Sequence, residues 1–322
     1  MWRFKPILKP TIWGGNRIAA FKGHTPYSPE LGPIGETYEL SGMPTEESIV
    51  CEGTHVGFTL TQLIKTEGAS LVGNRVWNKY GSRFPLLVKF LDASRDLSVQ
   101  VHPDDKMAAN LSLPNGKSEM WYVLEATSEA RLCAGFKSPQ SPEQYSDMVA
   151  DGSITKQLNY TPVKPGEAYY IPAGTVHSLG KGCLVLEIQQ PSDVTFRIYD
   201  FLRRDTNGNL RELHTELAQE ALNFGRSGSS QILYPDERET PSGLLSTSHF
   251  TVNRMHLSYK HHRNYRDIDS FKVLVIVKGT AEIDDGEDCI TASQGSVLLI
   301  AAKNKEITIS PHNEVIIIET YI

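Results

Sequence analysis

The sequence has few cysteines, no long apolar run and no surplus of positive charge, and each shortage removes a class of protein. Cys51, Cys133, Cys183 and Cys289 stand far apart with no C-x-x-C pair, which argues against a disulfide framework or a thiolate zinc site. Four unpaired thiols fit a reducing cytoplasm. Any metal must then be held by imidazole, carboxylate and amide groups. No stretch approaches the ~18 apolar residues of a membrane helix. The opening MWRFKPILKPTIWGG breaks at prolines and lacks the apolar core of a signal peptide. Lys and Arg number 32 against 38 Asp and Glu, a formal net charge of −6. Nucleic acid or an anionic membrane needs a basic face, so neither is expected as a partner. A local cluster of Lys and Arg serving one phosphate is compatible with that balance.

What is present is β-structure. At 322 residues, 39% hydrophobic and 22% charged, the chain suffices for one large or two ordinary domains. FPLLVKFLDA (84–93), LSVQVH (97–102), EMWYVLEA (119–126), ARLCAGF (130–136), EAYYIP (167–172) and CLVLEIQQ (183–190) read as strands. Gly and Pro in PNGKS, KPGE and PAGT supply turns between them, the pattern of a sandwich or barrel. Three helices are expected as outer covers: 59–73; 141–152, with Ser141 as N-cap; and 211–225, with Leu213, Leu217 and Leu222 on one stripe. The Ser-, Gly- and Pro-rich segment 225–248 reads as a linker, and strands resume beyond it. The expected division is a catalytic unit over 1–235 and a smaller all-β unit over 236–322.

LSVQVHPDD (97–105) alternates Leu97, Val99 and Val101 with Ser98, Gln100 and His102. Side chains two apart on a strand share a face, roughly 6.5–7 Å apart, so an amide and an imidazole lie side by side. KSEMWYVL puts Glu119 at the mouth of a later strand, with Lys117 two residues before it on the same face. PGEAYYIPAGTVHSLG contains Gly166, Pro172, Gly174 and His177 in the spacing G-x5-P-x-G-x2-H. Cross-strand neighbours lie about 4.5–5.5 Å apart, so Gln100, His102, Glu119 and His177 can converge inside a barrel. Two imidazoles, a carboxylate and an amide oxygen suit a divalent cation; zinc, iron, manganese and nickel all accept such donors.

The G-x5-P-x-G-x2-H element with its upstream His and Glu resembles the two motifs of the cupin superfamily. Gln100 stands where most cupins have His, and the Asn usual after His177 is missing. Together with IWGG (12–15), GETYELSG (35–42), GKSEMWYVL and QQPSDVTFRIYD, these features resemble the type I mannose-6-phosphate isomerases in their shorter bacterial form. The match runs in order from residue 6 to about 220. The resemblance implies a mainly β, cupin-type barrel or jelly roll with a few peripheral helices and a second, smaller, metal-free cupin-like domain. It implies one Zn2+ per chain on Gln100, His102, Glu119 and His177, with Arg197 as the active-site arginine and Lys117 and Glu187 in the same pocket.

The implied reaction interconverts mannose 6-phosphate and fructose 6-phosphate, moving a proton between C1 and C2 through an enediol. Lys117 and Glu187 are the acid–base candidates, and Arg197 stabilises the anion. For the phosphate, Arg203 and Arg204 at the pocket rim are the candidates. Glu187 lies inside an apolar strand, where a charge needs a partner, and is read as facing inward. IWGG and GETYELSG are read as structural, without chemistry. HLSYKHHRNY (256–265) is read as an exposed edge, and IAAKNKE, lacking any P-x-G-x2-H, leaves no second metal site expected. Two rival readings are a cupin dioxygenase holding iron on similar donors and a non-catalytic sugar-phosphate sensor. The expected setting is a cytoplasmic monomer or weak homodimer.

Overall fold

A computed structural model describes residues 1–204, 208–225 and 230–322; part of the expected linker, residues 226–229, lies outside the described residues. Among the described residues, the first unit is built of a two-stranded pair, Arg3–Lys5 with Ile49–Glu52, and two large sheets. The smaller orders its strands Leu158–Pro162, Arg131–Phe136, His177–Leu179, Val99–Val101 and Phe196–Tyr199. The larger orders Gln231–Ile232, Ala168–Ile171, Glu119–Ala126, Cys183–Gln189, Leu87–Asp92, Ile34–Met43 and Ile7–Gly15, with Glu46–Glu47 beside Ile34–Met43. The pairings within both sheets are antiparallel.

Alternation along these strands explains the layering, because successive side chains point to opposite faces. Trp121, Val123 and Val185 from the larger sheet meet Leu132, Ala134 and Leu179 from the smaller in a core between the sheets. Met120, Tyr122, Leu184 and Leu186 point the other way, into a core shared with the rest of the molecule. A strand buried on both faces needs a continuous apolar run, which is how FPLLVKFLDA reads. Two residues of the fully buried strand Leu87–Asp92 are charged, Lys89 and the terminal Asp92, which pairs with Arg17.

The second unit is a seven-stranded sheet whose strands all lie between Ser242 and Tyr321. It wraps around Met255, Leu257, Leu274, Ile276, Ile317 and their neighbours. Its other face carries Val252, Phe271, Val273 and Ile318 into the shared core, where Phe271 meets Phe84 at 4.5 Å between ring centroids. HLSYKHHRNY is an edge only in part. His261–Asn264 pairs on one side, whereas Thr251–Leu257 is an interior strand whose His256 is buried against Glu314.

The helices lie outside the sheets, with two corrections to their extent. The helix expected over 59–73 is divided at Gly68, whose φ of +55 suits glycine, into Leu60–Glu67 and Ala69–Val72. A further helix, Asn74–Tyr80, follows Gly73. Ser141 caps Pro142–Ala150 in a capping box with Gln144, as the sequence suggests. The helix expected over 211–225 is Thr215–Ala221 alone. Residues 211–214 instead lie outside the helix, tied to Arg197: the His214 amide donates to the Arg197 carbonyl at 2.7 Å, and the Arg197 amide donates to His214 Nδ1 at 3.2 Å. Leu213 is consequently exposed, and Ala218 faces the core instead.

Candidate active site

Two rows of side chains approach each other between the sheets of the first unit. On the smaller sheet, Gln100 is the register partner of both His177 and Arg197, on its two sides. On the larger sheet, register aligns Tyr169, Trp121, Glu187, Lys89 and Tyr38 across five strands. Glu119 stands two residues before Trp121 on the same face, with Lys117 two residues before that. His102 follows the strand Val99–Val101. The turn before His177 is tied to it, because the Gly174 amide donates to the His102 carbonyl at 2.9 Å. At Gly174, φ is +81, a value most side chains resist.

His102, Glu119 and His177 bring their ligating atoms within 4.8 Å of one another, all buried. Glu119 Oε2 lies 3.4 Å from His102 Nε2, and Oε1 lies 3.3 Å from His177 Nε2. Neither Glu119 oxygen nor either His102 nitrogen has a hydrogen-bond partner. His177 Nδ1 donates to the Thr175 carbonyl at 2.8 Å, which leaves the Nε2 lone pair facing the carboxylate. The Gln100 Nε2 amine lies 3.2 Å from that same Nε2; a half-turn of the amide puts its oxygen there instead. Buried polar atoms are normally paired. Three of these atoms, His102 Nε2 and the two Glu119 oxygens, face one another and His177 Nε2, and the set fits a divalent cation bound by nitrogen and oxygen donors.

The electrostatics agree. Burial is the first cause holding both imidazoles below the ordinary histidine range, so both stay neutral and able to ligate. For Glu119 burial works the other way, but Lys117, His177 and Lys89 outweigh it and hold the carboxyl below its usual value. Lys117 Nζ is 3.3 Å from Glu119 Oε2.

Beside this group lies a cavity of about 260 Å³ whose walls include Gln100, Lys117, Glu187 and Arg197. Gln100, His102, Glu119, His177, Lys117, Glu187 and Arg197 are therefore each at the metal-ligand cluster or in this wall. Glu187 Oε1 accepts from the Trp121 indole at 2.9 Å, while Oε2 has no hydrogen-bond partner. Lys89 lies 3.3 Å from Glu36, 3.4 Å from Glu187 Oε2 and over the Tyr38 ring. Burial works against its charge, yet the two carboxylates prevail and raise its pKa.

Three expectations change here. IWGG and GETYELSG are not purely structural, since Trp13, Glu36 and Tyr38 line the cavity. Arg203 and Arg204 are not cavity residues. Arg203 is turned to Asp200 and to the Asp96 carbonyl, and Arg204 donates to the Gly208 carbonyl at 2.6 Å. Arg211 lines the cavity beside Arg197; its place in a stretch that reads as helix hid it, because only the tertiary pairing of His214 with Arg197 takes 211–214 out of the helix. A larger groove of about 630 Å³ follows Tyr122, Tyr234 and Arg254 on the opposite face of the larger sheet. Its Arg254 donates to Tyr122 and Asp236, and its Tyr234 to the Gly166 carbonyl, so none of these three is left for chemistry.

Facing antiparallel sheets around a buried His–Glu–His group define a cupin-type β protein with a candidate metal centre. The sequence profile for phosphomannose isomerase type I, catalytic domain, matches residues 1–137. Mannose-6-phosphate isomerase ManA of Bacillus subtilis is 34% identical over 302 residues, 92% of this chain and 91% of that protein. The mannose-6-phosphate isomerase of Streptococcus mutans is 38% identical over 248 residues, 77% of this chain and 76% of that one. The crystal structure of the B. subtilis mannose 6-phosphate isomerase superposes with a TM-score of 0.88 at 29% identity, covering 100% of this chain and 99% of that one. The chain belongs to the type I mannose-6-phosphate isomerase family.

Proposed function

We propose that the chain interconverts mannose 6-phosphate and fructose 6-phosphate, a proton passing between C2 and C1 of the open-chain sugar through an enediol. The observation that carries this reading is the cluster of orphaned donors opening beside a cavity walled by Glu187, Lys117 and two arginines. A divalent ion on Gln100, His102, Glu119 and His177 (zinc, one per chain) supplies Lewis-acid polarisation of the sugar oxygens, worth several kcal/mol.

Glu187 takes the C2 proton on Oε2, the oxygen free of hydrogen bonds, and returns a proton to C1; a positioned base contributes typically 10²–10⁴-fold. Lys89, held protonated by Glu36 and Glu187, is a fixed cation rather than the base. Lys117 secures Glu119 and presents its ammonium to the cavity. Arg197 stabilises the negative charge that develops on the enediol oxygens. Burial and the neighbouring Arg211 both lower the pKa of Arg197, a sign of positive charge not fully offset by protein carboxylates. That surplus draws the substrate phosphate to Arg211, which lines the cavity and pairs with Asp200 at 3.1 Å.

With this go a catalytic unit over 1–235, a supporting unit over 236–322 and a cytoplasmic monomer or weak homodimer. Scattered thiols and the formal charge of −6 support that setting, and no described helix is long and apolar enough to cross a membrane. The test is a coupled assay on mannose 6-phosphate, repeated after chelation and after zinc is returned. Activity should vanish and come back, and His177→Ala should lose both zinc and turnover. Full activity in that variant would refute the reading.

A further inference from the structure

Glu187 and Trp121 are direct register partners on adjacent strands, and both are almost completely buried. The indole Nε1–H donates to Glu187 Oε1 at 2.9 Å. The same ring meets the His177 imidazole edge-on, with centroids 5.7 Å apart. One rigid side chain therefore touches a candidate metal ligand and the proton-transfer carboxylate together. Rotation about the last bond of a glutamate side chain is soft and roughly two-fold. Left alone beside Lys89, the Glu187 carboxylate could turn either oxygen toward that ammonium and swing away from the cavity. A tryptophan N–H is donor only, so it anchors one oxygen without competing for the proton on the other.

We infer that Trp121 is a positioning residue for the reaction: its indole N–H clamps Glu187 Oε1 and so fixes the plane of the carboxylate, holding Oε2 beside Lys89 in the cavity wall. This rests on the reading of Glu187 as the group that moves the proton. A misplacement of about 1 Å costs roughly 10²-fold in rate, and a carboxylate free to turn is misplaced for much of the time.

Trp121→Phe keeps the aromatic wall against His177 and removes the donor. Its kcat should fall roughly 10–100-fold, with KM for mannose 6-phosphate and the zinc content both unchanged. The isotope effect on kcat with C2-deuterated substrate should rise, because proton transfer becomes slower relative to other steps. In a Glu187→Gln background the same substitution should add nothing, since the clamp acts only through Glu187. Wild-type protein with no isomerase activity would refute the functional reading. An active wild type with an undiminished Trp121→Phe kcat, or a loss matched by equal loss of zinc, or losses that multiply in the double variant, would refute the clamp alone. A measurement that needs no Trp121 variant is the indole N–H resonance of Trp121 by proton–nitrogen NMR. It should move upfield in Glu187→Gln, where the charged acceptor becomes neutral; an unmoved resonance overturns the inference.

Discussion

His102 and Glu119 each bury two polar atoms without a hydrogen-bond partner, Glu119 Oε2 being met only by the Lys117 ammonium at 3.3 Å, and an unpaired buried polar atom costs about 1–3 kcal/mol. A cation between them removes that cost, so metal and fold support one another. The acid behaviour follows from the two imidazoles, whose pKa values in the fold are depressed by burial. The unfolded chain takes up protons near pH ~6.5 while the folded one still refuses them. The stabilising contribution is therefore present above that pH and lost as pH falls toward the folded values. The thermal midpoint of chelated protein should drop between about pH 7 and 5, and His102→Gln should flatten that slope; an equally steep variant would contradict the account. The arginines give a second expectation. Arg211→Ala should raise KM for the sugar phosphate about tenfold or more and weaken inhibition by inorganic phosphate, because Arg211 lines the cavity beside Arg197. Arg203→Ala should lower the thermal midpoint without that KM change, because its donors are spent on Asp200 and Asp96.

Elements differ in what they do for the site. The turn at 172–177 carries a ligand, and Gly174 makes it possible: φ is +81, and an added Cβ would meet the Ala221 carbonyl oxygen at 3.1 Å. A β-branched residue in that conformation costs about 1–3 kcal/mol. Gly174→Val should accordingly reduce both thermal stability and zinc affinity, read by calorimetry and metal titration. The helix Pro142–Ala150 covers the far side of the smaller sheet. Ser141→Ala should cost about 0.5–2 kcal/mol and leave zinc affinity unchanged. The helix start at Ser141 was legible because capping is local. The true start of the helix Thr215–Ala221 was not, since His214 is hydrogen-bonded to Arg197, a partner remote from the periodicity that made residues 211–214 read as helix.

At the scale of the whole molecule, the two units share an apolar core rather than a thin contact. Leu40, Val88, Phe90 and Leu186 of the first lie in one cluster with Val252, Phe271, Val273 and Ile318 of the second. Phe271→Ala, at the Phe84 contact, should cost about 3–5 kcal/mol while KM for the sugar phosphate stays the same; a variant of unchanged midpoint would show that the units do not depend on this contact. The second unit thus supports the outer face of the sheet whose inner face carries Glu119, Glu187 and Lys89.

Alternation along strands and the P-x-G-x2-H spacing are short-range properties, so the strand-rich class and the four metal-ligand candidates were legible in the residues, whereas Lys117, Glu187 and Arg197 were assigned to the pocket by the family resemblance. Tertiary structure alone decided that Glu36, Lys89, Trp121 and Arg211 join them. Cross-strand register brings together residues from distant parts of the chain, and one residue of slip turns every side chain to the other face.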